Sequence, residues 1–134
     1  PEMHWEFAIR HDLPWLTRWG LTYYGCCEPL DGKIEILKRI PNLRKVSISP
    51  RADPDRAVAA VGDRYVFSYK PNPAILAEDR WNPERARQEL RAVLEKARGC
   101  RVEIIMKDIS TVRYEPRRLW EWSRIAVEEA ERLA

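Results

Sequence analysis

The stretch KVSISPRADPDRAVAAVG, residues 45–62, decides the fold because a strand pattern passes within it directly into a helix pattern. Apolar residues alternate with polar ones over Lys45–Ser49, which predicts a strand. An aspartate, Asp53 or Asp55, then opens a helix that ends at Gly62. A strand followed at once by a helix is the repeating unit of parallel α/β folds.

The same succession occurs four times along the chain. Strands are predicted at Leu21–Cys26, Lys45–Ser49, Tyr65–Tyr69 and Val102–Met106. Helices are predicted at Met3–Trp19, with a kink at Pro14, at Lys33–Ile40, after Asp53, after the Asn82–Pro83 cap and from Pro116. Strands separated by helices pair in parallel through right-handed crossovers. The sequence therefore predicts an α/β fold of four βα units, half of a (β/α)8 TIM barrel with its helices outside. A small open sheet with helices on both faces is the alternative.

Two expectations concern the faces of this sheet. Val102–Met106, apolar except for Glu103, is interpreted as a buried run, typical of a strand covered on both faces. A half-barrel leaves the inward face of its strands uncovered, and the side chains expected there are Tyr23, Val46, Ile48 and either Val66 or Phe67. Because open edges and faces favour association, we expect a two-fold homodimer.

The composition excludes several classes of protein. The 134 residues are enough for one domain, residues 1–134. The sequence begins at Pro1, and we expect it to be the C-terminal piece of a longer barrel protein. The 24 basic and 21 acidic side chains are interleaved, so no basic patch indicates nucleic-acid binding. No apolar run approaches the roughly 20 residues that cross a membrane. Three cysteines, two of them adjacent, favour free thiols in a reducing cytoplasm.

The segment Tyr-Tyr-Gly-Cys-Cys-Glu, residues 23–28, carries the strongest candidate chemistry. If the strand continues through it, Cys26 and Glu28 converge on one side while Cys27 points away. A thiolate with a nearby carboxylate can bind zinc, or the thiol can react itself. The alternative is that both cysteines are small buried apolar residues.

Polar residues also follow the other three strands. Lys107 and Asp108 end the fourth strand, either as a pair in a cleft or as a structural ion pair or helix cap. Arg51, Lys70 and Asn72 lie just past the second and third strands, where they either hold a carboxylate or phosphate or are solvated loop residues. Because the carboxyl ends of parallel strands meet at one edge, we expect Lys107 and Asp108 within about 10 Å of Cys26.

These segments together resemble the C-terminal half of the uroporphyrinogen decarboxylase superfamily, which also contains cobalamin-dependent methyltransferases. The resemblance runs from about Leu21 to the end of the chain. The motifs that carry it are residues 21–26 (LTYYGC), residues 43–49 (LRKVSIS) with the Asp-opened helix after them, residues 61–64 (VGDR) and residues 72–73 (NP). Members of the superfamily are (β/α)8 barrels, so the chain would hold the last four units.

The resemblance also implies a function and a site. In the methyltransferase branch, a His-x-Cys motif and a later cysteine hold zinc. Cys26 matches the first cysteine of that set, and Tyr24 stands where the histidine would be. Lys107 and Asp108 occupy roughly the place of the later cysteine. The resemblance thus implies a substitute set of zinc ligands, Cys26, Glu28 and Asp108. It also implies that Cys26, Lys107 and Asp108 are the catalytic residues.

The parent protein would then transfer a methyl group between a partner corrinoid protein, which carries the cobalamin, and a small thiol or other acceptor. The groups that would position the small-molecule substrate are Tyr24, Arg51, Lys70 and Asn72. The alternatives are a non-catalytic module that binds a small anion or a tetrapyrrole, and a decarboxylase. The decarboxylase is the weaker alternative, because the last strand lacks the Gly-His-Gly of that branch.

Overall fold

The computed structural model describes residues 1–133 and contains one four-stranded parallel sheet. Its strands are β1 (Thr22–Tyr24), β2 (Leu43–Ile48), β3 (Val66–Tyr69) and β4 (Arg101–Ile104), and they lie in the sheet in chain order. Right-handed crossovers between strands in this order place successive helices on the same side of the sheet. The chain is thus an α/β protein whose four parallel strands alternate with helices, consistent with half of a TIM barrel.

The helices mostly begin where the sequence predicts. They are α1 (Glu2–His4), a π-helical turn (Trp5–Ile9), α2 (Arg10–Leu16), α3 (Ile34–Leu37), α4 (Pro54–Val61), α5 (Ala74–Ala77), α6 (Pro83–Lys96) and α7 (Arg117–Glu131). The Asp53 carboxylate caps α4 by accepting from the backbone N–H groups of Asp55 and Arg56, and Asn82 caps α6 in the same way. Pro14 lies inside α2 without ending it. The short helix α5 lies in a segment for which the sequence pattern predicts no helix.

The core lies between the sheet and the helices. Val46, Ile48 and Phe67 are buried on the helix-covered face, together with Leu90 of α6 and Ile125 of α7. The expectation that Val46 and Ile48 face inward was therefore wrong, and of the alternatives Val66 and Phe67 it is Phe67 that lies on the helix-covered face. The helices cover only one face, and the apolar side chains of each strand lie on that face.

The opposite face of the sheet is polar. Tyr23 pairs in register with Lys45, and Ser68 pairs with both Ser47 and Glu103, so these five residues share one face, here called the polar face. Lys45 Nζ lies 2.8 Å from Glu103 Oε1 and 4.6 Å from the centre of the Tyr23 ring. Ser68 donates to Glu103 Oε2 over 2.7 Å. Of the expected inward set, Tyr23 and Val66 lie on this face, since Val66 pairs in register with Lys45.

Strand β4 is not buried on both faces, and that expectation was wrong. Arg101 and Val102 are exposed, while Glu103 and Ile104 are half-buried. Within residues 1–133 no strand pairs with the outer edge of β4. An apolar run in the sequence cannot distinguish a central strand from an edge strand, and β4 is an edge strand.

Two buried charged residues anchor α7. Arg118, 1% exposed, donates to the backbone carbonyls of Leu76, Glu78 and Asp79. Glu129, also 1% exposed, accepts hydrogen bonds from three arginines: Arg87, Arg91 and Arg132. Together they fix the last helix to α6 and to the segment after α5. At 15 residues α7 is the longest helix, and none in the described part of the chain is long and apolar enough to cross a membrane.

Candidate functional site

A small cavity lies at the carboxyl ends of the strands, here called the strand-end pocket. Its volume is about 110 Å³. All four strands lead into it, since its lining consists of Cys27 after β1, Ser49, Pro50 and Arg51 after β2, Lys70, Pro71 and Pro73 after β3, and Lys107 and Asp108 after β4. The sequence-based expectation that polar residues at the strand ends come together is thus met by Arg51, Lys70, Lys107 and Asp108.

Positive charge dominates this pocket. Arg51, Lys70 and Lys107 contribute three cations, against the single carboxylate of Asp108. Lys107 Nζ lies 2.8 Å from Asp108 Oδ2, and that contact raises the pKa of the Lys107 ammonium. Arg51 Nη2 donates to the Cys27 backbone carbonyl over 3.0 Å. Since one carboxylate cannot balance three cations, the pocket keeps an excess of positive charge.

Lys70 is the most unusual of the three cations. Its side chain follows β3 and is only 7% exposed. Among the described residues it forms no ion pair, and the centre of the Tyr23 ring lies 5.6 Å from Nζ. Buried lysines are normally paired, because desolvating an ammonium is costly. Lys70 therefore lines the pocket as a buried cation without a carboxylate.

Ser49 adds a second buried polar group without a partner. The residue is 2% exposed, and its Oγ atom has no hydrogen-bond partner in residues 1–133. Leaving such a group unpaired costs about 1–3 kcal/mol. An acceptor oxygen bound in the pocket would satisfy it. The sequence analysis missed Ser49 as a site residue, although its place directly after β2 was the signal that identified Arg51 and Lys70.

Cys27 rather than Cys26 faces the end of β4. Lys107 Nζ lies 3.2 Å from Cys27 Sγ, and Asp108 Oδ2 lies 3.9 Å from it. The sequence pattern predicted Cys26 rather than Cys27 at this site; β1 ends at Tyr24, so strand alternation does not govern which of the two cysteines reaches the end of β4. The first and fourth strand ends meet at Cys27, the chain neighbour of Cys26.

The backbone of Asp108 is in the left-handed region, with φ of 58°. Non-glycine residues rarely adopt this conformation, and asparagine and aspartate are among the few that tolerate it. In the irregular segment that follows β4, the Asp108 carboxylate lies beside Lys107 and Cys27. Non-glycine residues held in such a sparsely populated conformation cluster at functional sites.

The side chains of Cys26 and Glu28 lie close enough to hydrogen-bond, but together with Asp108 they do not form a metal-binding group. Cys26 Sγ lies 3.8 Å from the Glu28 backbone carbonyl, and burial raises the pKa of this thiol. The Glu28 carboxylate pairs instead with Lys33 at 2.6 Å and His4 at 3.4 Å, and the Lys33 hydrogen bond lowers its pKa. Within residues 1–133 no group of three or more His, Cys, Asp or Glu side chains is arranged to hold a metal ion. The residues present therefore do not fit a zinc centre.

Two other predicted substrate-binding residues take part in local structure. The Tyr24 hydroxyl lies 2.7 Å from His4 Nε2, and burial raises the pKa of this phenol to about 12. Asn72 Oδ1 accepts from the backbone N–H of Ala74 at the start of α5. Neither side chain lines the strand-end pocket.

Tyr23 lies on the polar face beside Lys70. Burial alone would raise the pKa of its phenol, but hydrogen bonding with Ser68, Ser47 and Lys70 lowers it below the usual value overall. Its ring also contacts the Lys45 ammonium. Tyr23 thus connects the polar face to the buried end of Lys70.

Comparison with known proteins identifies no relative. No family model, no curated protein and no solved structure matches the chain.

Proposed function

We propose that the strand-end pocket binds a small anion, the carboxylate or phosphate group of a small-molecule ligand. The observation that carries this proposal is Lys70, a cation that is 7% exposed, lines the pocket and has no carboxylate partner in the described chain. Arg51 adds a fork of donors that suits carboxylate and phosphate oxygens. The unpaired Ser49 hydroxyl supplies one more donor.

The size of the pocket limits what it holds. Its volume of about 110 Å³ is a few times the roughly 30 Å³ that a water molecule occupies in the liquid. One phosphate or carboxylate group fits such a space, while a tetrapyrrole does not. The anionic group of the ligand would lie in the pocket and the rest of the molecule outside it.

Calorimetric titration with inorganic phosphate tests the proposal. We expect the wild-type protein to bind one phosphate and the Lys70→Met variant to bind at least about tenfold more weakly, because a desolvated ion contact is lost. The matched control is Lys96→Met, which removes an exposed lysine of α6 paired with Asp55. Equal phosphate affinity in wild type and Lys70→Met would refute the pocket.

The same variant has an expected effect on stability. Without phosphate, Lys70→Met should be at least as stable as the wild type in urea unfolding, because a buried cation without a carboxylate partner is replaced by an apolar side chain of similar length. With phosphate at about 100 times its dissociation constant, the wild type should gain about 2.7 kcal/mol and the variant almost nothing. A large loss of stability in phosphate-free Lys70→Met would show that Lys70 is structural.

Methyl transfer to a small thiol, with cobalamin on a partner corrinoid protein, stays a proposal that rests on the resemblance to the uroporphyrinogen decarboxylase superfamily. The parallel four-stranded sheet and the strand-end position of the pocket support it. The expected homodimer and the cytoplasmic location, consistent with three free cysteines, stay predictions as well. Zinc analysis separates the two proposals: stoichiometric zinc that Cys26→Ser removes would favour the methyltransferase.

A further inference from the structure

Cys27 lies at the mouth of the strand-end pocket and is exposed. Lys107 Nζ is 3.2 Å from its sulfur, at hydrogen-bonding distance, and Asp108 Oδ2 is 3.9 Å from it. The Lys107 ammonium is placed to stabilise negative charge on the sulfur, and the Asp108 carboxylate is placed to accept the thiol proton. This arrangement is typical of a thiol that reacts as a nucleophile.

The two other cysteines have different surroundings. Burial raises the pKa of Cys26, and burial together with the nearby Asp63 raises that of Cys100. In the chain as described, Cys27 alone has a lysine ammonium within hydrogen-bonding distance of its sulfur. Cys26 and Cys100 therefore serve as internal references for the reactivity of Cys27.

We infer that Cys27 is a nucleophile that attacks small electrophiles carrying a carboxylate or phosphate, with that anionic group held by Ser49, Arg51 and Lys70. This inference rests on the proposed anion binding. A second observation supports it besides the thiol: the Ser49 hydroxyl, 2% exposed and without a partner in residues 1–133, lines the same pocket.

The reaction balances without an oxidant or a metal. Asp108 takes the thiol proton and passes it to water, while Lys107 donates a hydrogen bond to the sulfur as it becomes negative. The sulfur then forms a bond to the electrophilic carbon, and the leaving group departs with the electron pair of the bond that breaks. The substrate class is a short acid with a leaving group close to its anionic end, since the pocket accepts only the anionic group.

Alkylation with a matched pair of reagents tests the inference. Iodoacetate and iodoacetamide transfer nearly the same group, with loss of iodide, but only iodoacetate carries a carboxylate. At an ordinary thiol the negative charge of iodoacetate slows the attack by a thiolate. We expect the iodoacetate-to-iodoacetamide rate ratio at Cys27, measured by mass spectrometry of peptides, to exceed that at Cys100 by about tenfold or more.

Two further measurements identify the origin of this preference. Lys70→Met should reduce the ratio at Cys27 to that of Cys100, while the Lys96→Met control should leave it unchanged. Inorganic phosphate should slow iodoacetate at Cys27 and leave the iodoacetamide rate unchanged. The second effect follows because phosphate competes with the carboxylate of iodoacetate, whereas iodoacetamide carries no anionic group for the pocket to hold.

The outcomes distinguish this inference from the proposed function. If phosphate binds in calorimetry but Cys27 shows the same rate ratio as Cys100, the nucleophile is refuted and the anion pocket stands. If phosphate does not bind, the anion pocket is refuted and this inference with it. A high ratio that persists in Lys70→Met would show that the pocket does not direct the reagent, which also overturns the inference.

Discussion

Replacement of Glu129 by glutamine is expected to lower the free energy of unfolding by about 3 kcal/mol at pH 7. The Glu129 carboxylate is buried and accepts hydrogen bonds from Arg87, Arg91 and Arg132, of which the Arg91 bond has the largest effect on its pKa. The arginines hold this pKa near 2, against an ordinary value of 4.5. Glutamine keeps the shape but leaves three cations without their shared acceptor. Urea unfolding measures the loss, with Glu131→Gln, an exposed residue two positions later, as the control.

The same carboxylate makes the stability depend on pH. Because the folded pKa lies below the unfolded one, the stabilisation is present above pH 4.5 and is lost as the pH falls toward 2. The difference in unfolding free energy between wild type and Glu129→Gln should therefore shrink over that interval. A difference that stays constant from pH 7 to pH 3 would contradict the role assigned to the Glu129 charge.

Replacement of Arg118 by methionine is expected to cost a similar amount, about 3 kcal/mol. Arg118 donates to the backbone carbonyls of Leu76, Glu78 and Asp79 and also pairs with Glu115, and methionine can form none of these bonds. Hydrogen exchange should show weaker protection at α5 and at the start of α7.

The control for this substitution is Arg124→Met, an exposed position on α7 whose guanidinium pairs with Glu128. A surface pair of this kind contributes at most about 1 kcal/mol. If Arg118→Met and Arg124→Met destabilise the protein equally, the buried arginine does not anchor α7.

Much of the fold could be predicted because the signals are local. Asn82 followed by Pro83 specifies the start of α6 through a side-chain cap and a fixed φ, and Asp53 specifies the start of α4 in the same way. Helix starts of this type need no tertiary contact to be recognised. The order of strands and helices then leaves few topologies, and the parallel sheet follows.

The faces of the sheet could not be predicted, because alternation gives two sets of residues but not the face that each set occupies. Val46 and Ile48 lie under helices, whereas Lys45 and Glu103 form an ion pair on the open face. Which set is buried depends on where the helices pack. The edge position of β4 also depends on tertiary structure alone.

The candidate site could be predicted only in part, because its prediction depended on where each strand ends. Lys70 and Arg51 were identified because they directly follow strands, and their strand ends are correctly placed. Cys26 was chosen over Cys27 because the first strand was expected to reach Cys26, whereas it ends at Tyr24. A strand end misplaced by two residues changes which side chain enters a pocket, so boundary errors matter most at strand ends.

Titration of the ¹⁵N-labelled protein with inorganic phosphate, followed by NMR, tests the anion pocket most directly. The account predicts that the backbone amides of Ser49, Arg51, Lys70 and Lys107 shift together, saturate with one dissociation constant, and show no saturable shift in Lys70→Met. Shifts that do not saturate, or that appear only at exposed lysines such as Lys96, would contradict it.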